Sequence, residues 1–381
     1  MSWLEEHAAR IAARAERDLE ALVAVSSPSG DVRAGEEAAA VAAALAPDDV
    51  AVEHLPCSTA DHAPDLLLRL RGTGTPRVLL LGHLDTVVAH DAHEPLRRDG
   101  DRLVGSGSVD MKGGDALALG VLRALADRRD ELAEAALLLV QDEEWRIGTF
   151  AHTDRFAGWD ACLCFEAGEL DADGHEAVVV RRKAAGTIRV VAEGRSAHSG
   201  SQPERGRNAL LALAAAAQAV AAQHAPDAED RLTAVPTVLR SGDAFNVVPS
   251  AGELVADVRA DHERAFDRVL AAVPAEVGGA TLRAEQVRVW PGMDTREAAQ
   301  GILQAASAVA QVPITPASRG GASDASHLAK AVPVTIDGLG PRGGRAHAPG
   351  EFVLTASLLP RARVALAVAD AALKAGGGRS T

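Results

Sequence analysis

The sequence predicts an α/β protein with a smaller α+β unit inserted into it, and three observations carry that reading. Short apolar runs at 78–81, 135–140 and 161–165 have the length and composition of strands buried on both faces. Amphipathic or alanine-rich stretches of helical length separate them. The middle of the chain instead gives strands and then a helix, twice over, as an α+β layer does. At 381 residues the chain exceeds the size at which one hydrophobic core stops growing, so two domains are expected. The larger takes residues 1–180 and 290–381, and the inserted one takes 181–289.

Residues 3–22 place Leu4, Ile11, Leu19 and Leu22 on one side, an amphipathic helix. Ser26-Ser27-Pro28-Ser29-Gly30 breaks it, and a second helix over 36–45 stops before Pro47. Strands follow at 50–55, 65–70 and 78–81, the last closing on Gly82-His83-Leu84-Asp85-Thr86-Val87. A glycine-rich loop over 102–115 runs into an apolar helix over 116–126. The strand at 135–140 ends in Gln141-Asp142-Glu143-Glu144, and the strand at 161–165 ends in Glu166.

In the inserted segment two strands lie within 178–192, and Ser196-Ala197-His198-Ser199-Gly200 precedes an alanine-rich helix over 209–222. Strands are expected at 235–239, 245–248 and 252–259, then a helix at 265–273. The chain returns near Trp290-Pro291-Gly292 with a helix at 296–311 and a strand at 332–336. Its glycine-rich stretch 337–350 holds His347. A last helix is secure from Pro360, which a first turn tolerates, to about Lys374. The glycine-rich tail after Ala375 reads as disordered.

Composition excludes several classes. A formal charge of −14 argues against a polyanionic partner, and an aromatic fraction of 3% without any Tyr offers little for base stacking, so no nucleic acid is expected. The cysteines Cys57, Cys162 and Cys164 have neither zinc-finger spacing nor a disulfide framework. The polar, acidic start is no signal peptide, and no segment approaches the ~20 apolar residues of a membrane span. A reducing, cytoplasmic setting is the expectation, with no membrane partner.

The chemistry-bearing residues cluster at strand ends. His83 and Asp85 fall on one side of their strand because strand side chains alternate. Both suit zinc, or Asp85 holds the imidazole in one tautomer; a plain structural histidine is the bland alternative. Three strands ending in an acid or histidine, plus Asp110 in the glycine loop, match the rule that ligands bind beyond the carboxyl ends of such strands. A phosphate loop is the rival for residues 102–115, but its Gly-Lys-Ser/Thr ending is missing.

The motifs Gly82-His83-Leu84-Asp85-Thr86-Val87, Ser108-Val109-Asp110-Met111-Lys112-Gly113-Gly114, Glu143-Glu144, Glu166 and the late His347 occur in one order. In that order the chain resembles the dinuclear-zinc exopeptidase family of glutamate carboxypeptidases, acetylornithine deacetylases, succinyl-diaminopimelate desuccinylases and aminoacylases. Gly194-Arg195-Ser196-Ala197-His198-Ser199, Gly206-Arg207-Asn208-Ala209-Leu210, Asn246-Val247-Val248-Pro249, Asp257-Val258-Arg259 and Gly320-Gly321-Ala322-Ser323-Asp324 extend the likeness over nearly the whole chain. The resemblance implies a zinc-exopeptidase-like mixed sheet flanked by helices, with an inserted α+β sandwich serving as dimerisation or lid domain.

It also implies roles. His83 and Glu166 bind one zinc, Glu144 and His347 the other, and Asp110 bridges them. Glu143 is the general base, Asp85 orients His83, and His198 stabilises the oxyanion, reaching the partner subunit's site in a homodimer. Asn246 and Arg259 contact the substrate, although Arg259 is equally placed to pair with Asp257 or Glu253, and Asn246 to cap a turn before Pro249. Trp145-Arg146-Ile147 stands where the family pattern usually brings a glycine sooner, which leaves open a working pair shifted to Asp142-Glu143.

The implied activity is metal-dependent amide hydrolysis of a small peptide or N-acyl amino acid, closest to the glutamate carboxypeptidase branch, with two Zn²⁺ per chain and Co²⁺ or Mn²⁺ as substitutes. A deacylase of the acetylornithine or desuccinylase type and a non-catalytic metal-binding relic are the alternatives.

Overall fold

In the computed structural model residues 2–377 are described, and they fall into two compact units. The first comprises the chain up to Arg181, Asp294–Ser318 and the part from Ser323 onward; the second is Arg182–Met293 with Arg319–Ala322. Among the described residues no helix is long and apolar enough to cross a membrane.

A six-stranded mixed sheet runs through the first unit in the order Ala51–Leu55, Asp65–Arg71, Glu134–Val140, Arg77–His83, Ala161–Cys164, Thr335–Ile336. The first three pair antiparallel, and the last four run parallel to one another. Val78 and Leu80 on one face and Leu79 and Leu81 on the other are all shut off from solvent, which is why this strand reads as an unbroken apolar run. On the Leu80 side the core is completed by the helices Trp3–Val23, Gly113–Leu125 and Leu358–Gly377.

Local signals explain most element ends. Ser2 Oγ accepts the Glu5 N–H at 3.3 Å, and Glu5 and Glu6 sit in the first turn, where negative charge suits the helix dipole. The second helix, Val32–Ala44, begins earlier than the expected residue 36 because Asp31 caps it, accepting the Ala34 N–H at 2.9 Å. The final helix continues to Gly377, past the expected start of the tail. Residues 378–381 of that tail lie outside the described residues.

The second unit is a five-stranded antiparallel sheet, ordered Thr233–Ser241, Ala251–Ala260, Ala184–Glu193, Ala280–Trp290, Glu276–Val277. Ile188, Val190 and Ala192 point into a core shared with the helices Ala209–Ala221 and Phe266–Ala272. Two expectations need correction, and one strand is new. Residues 245–248 form a turn with one isolated bridge, Val247 to His198, because Gly242 and Pro249 bracket a run too short to pair. Within 332–336 only Thr335–Ile336 pairs. The long strand Ala280–Trp290 was not expected, since its half-exposed residues carry no apolar run.

Candidate metal centre

Strand register brings the expected residues together. His83 pairs with Val140 and Leu81 with Cys164, so the loops carrying 142–144 and Glu166 leave the sheet level with His83. His83 Nε2 lies 3.2 Å from Asp110 Oδ1 and 3.9 Å from Glu166 Oε1. His347 Nε2 lies 3.1 Å from Asp110 Oδ2 and 2.9 Å from Glu144 Oε2. Asp110 thus turns one oxygen to each imidazole. Donor atoms of His83, Asp110 and Glu144 all lie within 4.8 Å of one another.

Each member is held from behind. His83 Nδ1 is 3.0 Å from the Asp85 carbonyl and 3.4 Å from its Oδ1. A carbonyl only accepts, so Nδ1 carries a proton and Nε2 is the nitrogen turned to the acids. The Asp85 carboxylate does more than orient the ring: its oxygens accept the N–H groups of Glu143 and Glu144, each at 3.1 Å. Asp142 is engaged elsewhere, by Thr59 and Arg146, so Glu144 and not Glu143 is the acid that meets His347.

The Asp110 loop is clamped by a residue the sequence reading missed. Buried Glu351 accepts the N–H groups of Gly107, Val109 and Asp110 at 2.9, 2.7 and 2.9 Å. Gly107 takes φ +70°, and a Cβ there would stand 2.7 Å from Thr86 Cγ2. Its only sequence signal was a Glu four residues after His347. Lys112, also missed, is buried and donates to the Val25 carbonyl at 2.7 Å; burial lowers its pKa to about 8. His347 itself holds φ +61°, a left-handed backbone that a non-glycine residue keeps only where its surroundings fix it.

The electrostatics follow from crowding. Burial pushes the Glu143 and Glu144 carboxyls above the ordinary Glu range, with His83 opposing at Glu143 and His347 at Glu144. At His347 the carboxylates of Asp110 and Glu144 win, raising its pKa to about 10. Burial opposes charge on His83, but Asp110 and Asp85 outweigh it and carry that ring well above its usual value. Burial likewise opposes ionisation of Asp110, and hydrogen bonds from His347 and His83 reverse the balance. Acids packed this closely favour a cation among them, and two imidazoles with several carboxylates are a donor set suited to a divalent transition metal.

In the second unit, His198 is exposed and its Nδ1 accepts the N–H groups of Gly200 and Ser201 at 3.1 and 3.2 Å. The neutral ring therefore carries its proton on Nε2, ready to donate. Asn246 is exposed, and its carbonyl accepts the Ser199 N–H at 3.0 Å, which ties its turn to the His198 loop. Arg259 forks onto Asp257, Nε to Oδ2 at 3.0 Å, and donates to the Gly320 carbonyl at 3.1 Å. A cavity of about 790 Å³ beside Asp294, Gln300, Gln304 and Ser307 contains none of the expected site residues.

The profile of Peptidase family M20/M25/M40 matches residues 79–371, a span holding both imidazoles and every acid of the cluster. The chain belongs to this family. It is one of metal-dependent peptidases and amidohydrolases. Carboxypeptidase G2 from Pseudomonas sp. (strain RS-16) is 26% identical over 307 residues, 77% of this chain and 73% of that protein. A succinyl-diaminopimelate desuccinylase from Methylorubrum populi is 29% identical over 314 residues, 75% and 80% of the two chains.

Among solved structures, aminopeptidase PepT from Bacillus cereus ATCC 10987 gives a TM-score of 0.76 at 20% identity, covering 95% of this chain and 98% of that one. The M20 family metallo-carboxypeptidase Sso-CP2 from Sulfolobus solfataricus gives 0.73 at 15%, covering 93% and 98%. At such identities the likeness carries the fold: a mixed sheet flanked by helices with an inserted α+β unit, as the sequence led us to expect.

Proposed function

We propose that this M20 hydrolase is a dinuclear zinc amidohydrolase, most similar in action to a carboxypeptidase, releasing a C-terminal amino acid from a small peptide or N-acyl amino acid. The observation that carries it is Asp110, whose two oxygens face His83 and His347 separately. In this reading His83 and Glu166 would hold one ion, Glu144 and His347 the other, and Asp110 would serve both. Two such ions would supply Lewis-acid polarisation of the amide carbonyl and a water acidified towards neutrality.

Protein groups do the rest. Glu143 takes the proton of the attacking water and delivers it to the leaving amine, and its burial-raised pKa suits both transfers. His198 donates its Nε2–H to the developing oxyanion in the partner subunit's site. Asn246 and Arg259 bind the terminal carboxylate, Arg259 exchanging part of its pairing with Asp257 for substrate. We assign the first unit to catalysis, the second to dimerisation, and the working state to a homodimer. The likeness to carboxypeptidase G2 supports the substrate class, and that to a desuccinylase supports N-acyl-amino-acid deacylation as the second reading.

The test is metal content of the purified protein, then hydrolysis of N-acyl amino acids and dipeptides with and without chelator. Two ions per chain, with activity lost to chelator and restored by zinc, are expected. Glu143→Gln should keep the metal and lose about 10²–10⁴-fold in kcat. Bound metal with no turnover on any substrate would favour the non-catalytic relic; no metal uptake at all would end the proposal.

A further inference from the structure

Between the glutamate pair and Gly148 the chain carries Trp145-Arg146-Ile147. Trp145 and Ile147 are 66% and 63% exposed, yet Arg146 between them is wholly buried. Its guanidinium forks: Nη1 donates to Asp142 Oδ1 at 3.0 Å, and Nη2 donates to Asp324 Oδ1. The ring of Phe150 lies against it, 4.7 Å from Cζ. Asp142 is fixed in turn, its Oδ2 accepting the Thr59 N–H at 2.9 Å and the Thr59 hydroxyl at 2.6 Å. The Arg146 N–H also donates to the Asp142 carbonyl at 2.9 Å. The loop from Asp142 to Arg146 is therefore closed twice, by main chain and by side chain, and the two residues next to Asp142 inside it are Glu143 and Glu144.

We propose that Arg146 is a positioning residue for the glutamate pair. By tying both ends of the loop to each other and to Asp324, it sets where the Glu143 and Glu144 carboxylates stand, without touching substrate. A buried guanidinium is tolerated only when its partners are well placed, and its planar fork spans two carboxylates in a fixed direction, as a lysine point charge does not. In Trp145-Arg146-Ile147 the two large apolar residues face solvent while the charged one between them is buried. Anchorage by direction, not filling of space, is what that inversion provides. The inference rests on the reading of Glu143 as base and Glu144 as ligand.

R146K, R146M and R146M/D324N test it, measured for thermal midpoint, for metal retained after dialysis against a weak chelator, and for kcat and KM on an amide the wild type hydrolyses. R146K is expected to fold normally and lose about tenfold in kcat with KM within about twofold. R146M is expected to lose about 100-fold in kcat, the cost of a displacement near 1 Å, and to hold metal about tenfold more weakly. In the double variant Asp324 is no longer an unpaired buried charge, so most of the thermal midpoint returns while kcat and metal retention stay low.

Wild-type kcat and metal retention in R146K overturn the proposal, as does recovery of kcat together with the midpoint in the double variant. Should R146M not fold, R146K alone decides. Should the wild type bind metal but hydrolyse no amide, the functional reading fails, and metal retention still separates the Arg146 variants.

Discussion

The Asp85 carboxylate accepts the backbone N–H of Glu143 at 3.1 Å, so an acid two positions after His83 holds down the loop of the glutamate pair. Its other oxygen takes the Glu144 N–H at the same distance. Asp85→Asn keeps the volume but replaces one acceptor oxygen with an amide NH2, a donor facing a donor. A loss of about 10–100-fold in activity or metal affinity is expected, the usual effect of disturbing groups behind a metal ligand. An Asn variant equal to wild type in both would show the two bonds to be dispensable.

Glu351 offers a second handle on the same centre. Glu351→Ala leaves three buried N–H groups without their acceptor, each worth about 1–3 kcal/mol until water or a shift relieves it. We expect several kcal/mol lost in urea unfolding and weaker metal binding through a loosened Asp110. Glu351→Gln should lie between. Unchanged metal affinity in the Ala variant would disconnect Glu351 from Asp110.

Gly82 has no room for a side chain. A Cβ there would stand 2.0 Å from Asp115 Oδ1, and neither oxygen of that buried carboxyl has a hydrogen-bond partner among the described residues. Burial carries the Asp115 pKa well above its ordinary value. Gly82→Ala should therefore destabilise by about 1–3 kcal/mol, and adding Asp115→Ala should recover most of it. Additive losses in the double variant would place the clash elsewhere.

A pH dependence arises far from the centre. Burial lowers the His7 pKa below 6.5, with the nearby Asp127 charge opposing. The unfolded chain then binds the proton more tightly, so stability from this group is present above pH 6.5 and lost as pH falls through the lowered folded value. His7→Gln should flatten the fall in unfolding free energy between about pH 7 and 5. Parallel curves for variant and wild type would contradict it.

Much of this centre was legible in the sequence because strands that end in His83, Glu144 and Glu166 announce themselves by apolar runs stopping at a charge. Asp31 and Glu351 were not legible. Each acts through a backbone N–H, a bond that leaves no periodicity, and Glu351 does so across 241 residues to Asp110. Arg146 looked like a departure from pattern, since sequence cannot say which of three adjacent residues turns inward. The turn at 245–248 misled because Phe245-Asn246-Val247-Val248 has strand composition, and only its bracketing Gly242 and Pro249 prevent pairing.

His347 meets Glu144 across 203 positions of chain, and all of Arg182–Met293 lies between them. On a ribosome the acids and His83 emerge first, while the imidazole that closes the cluster follows only after the whole inserted unit, with the Glu351 clamp just behind it. Domains generally fold as they appear, but this one remains an open half-site until the chain beyond the inserted unit has been made. A chain cut short before residue 347 would carry the charge repulsion of the acids without the closing group. Dependence on the segment beyond the inserted unit is thus written into the chemistry of the cluster itself.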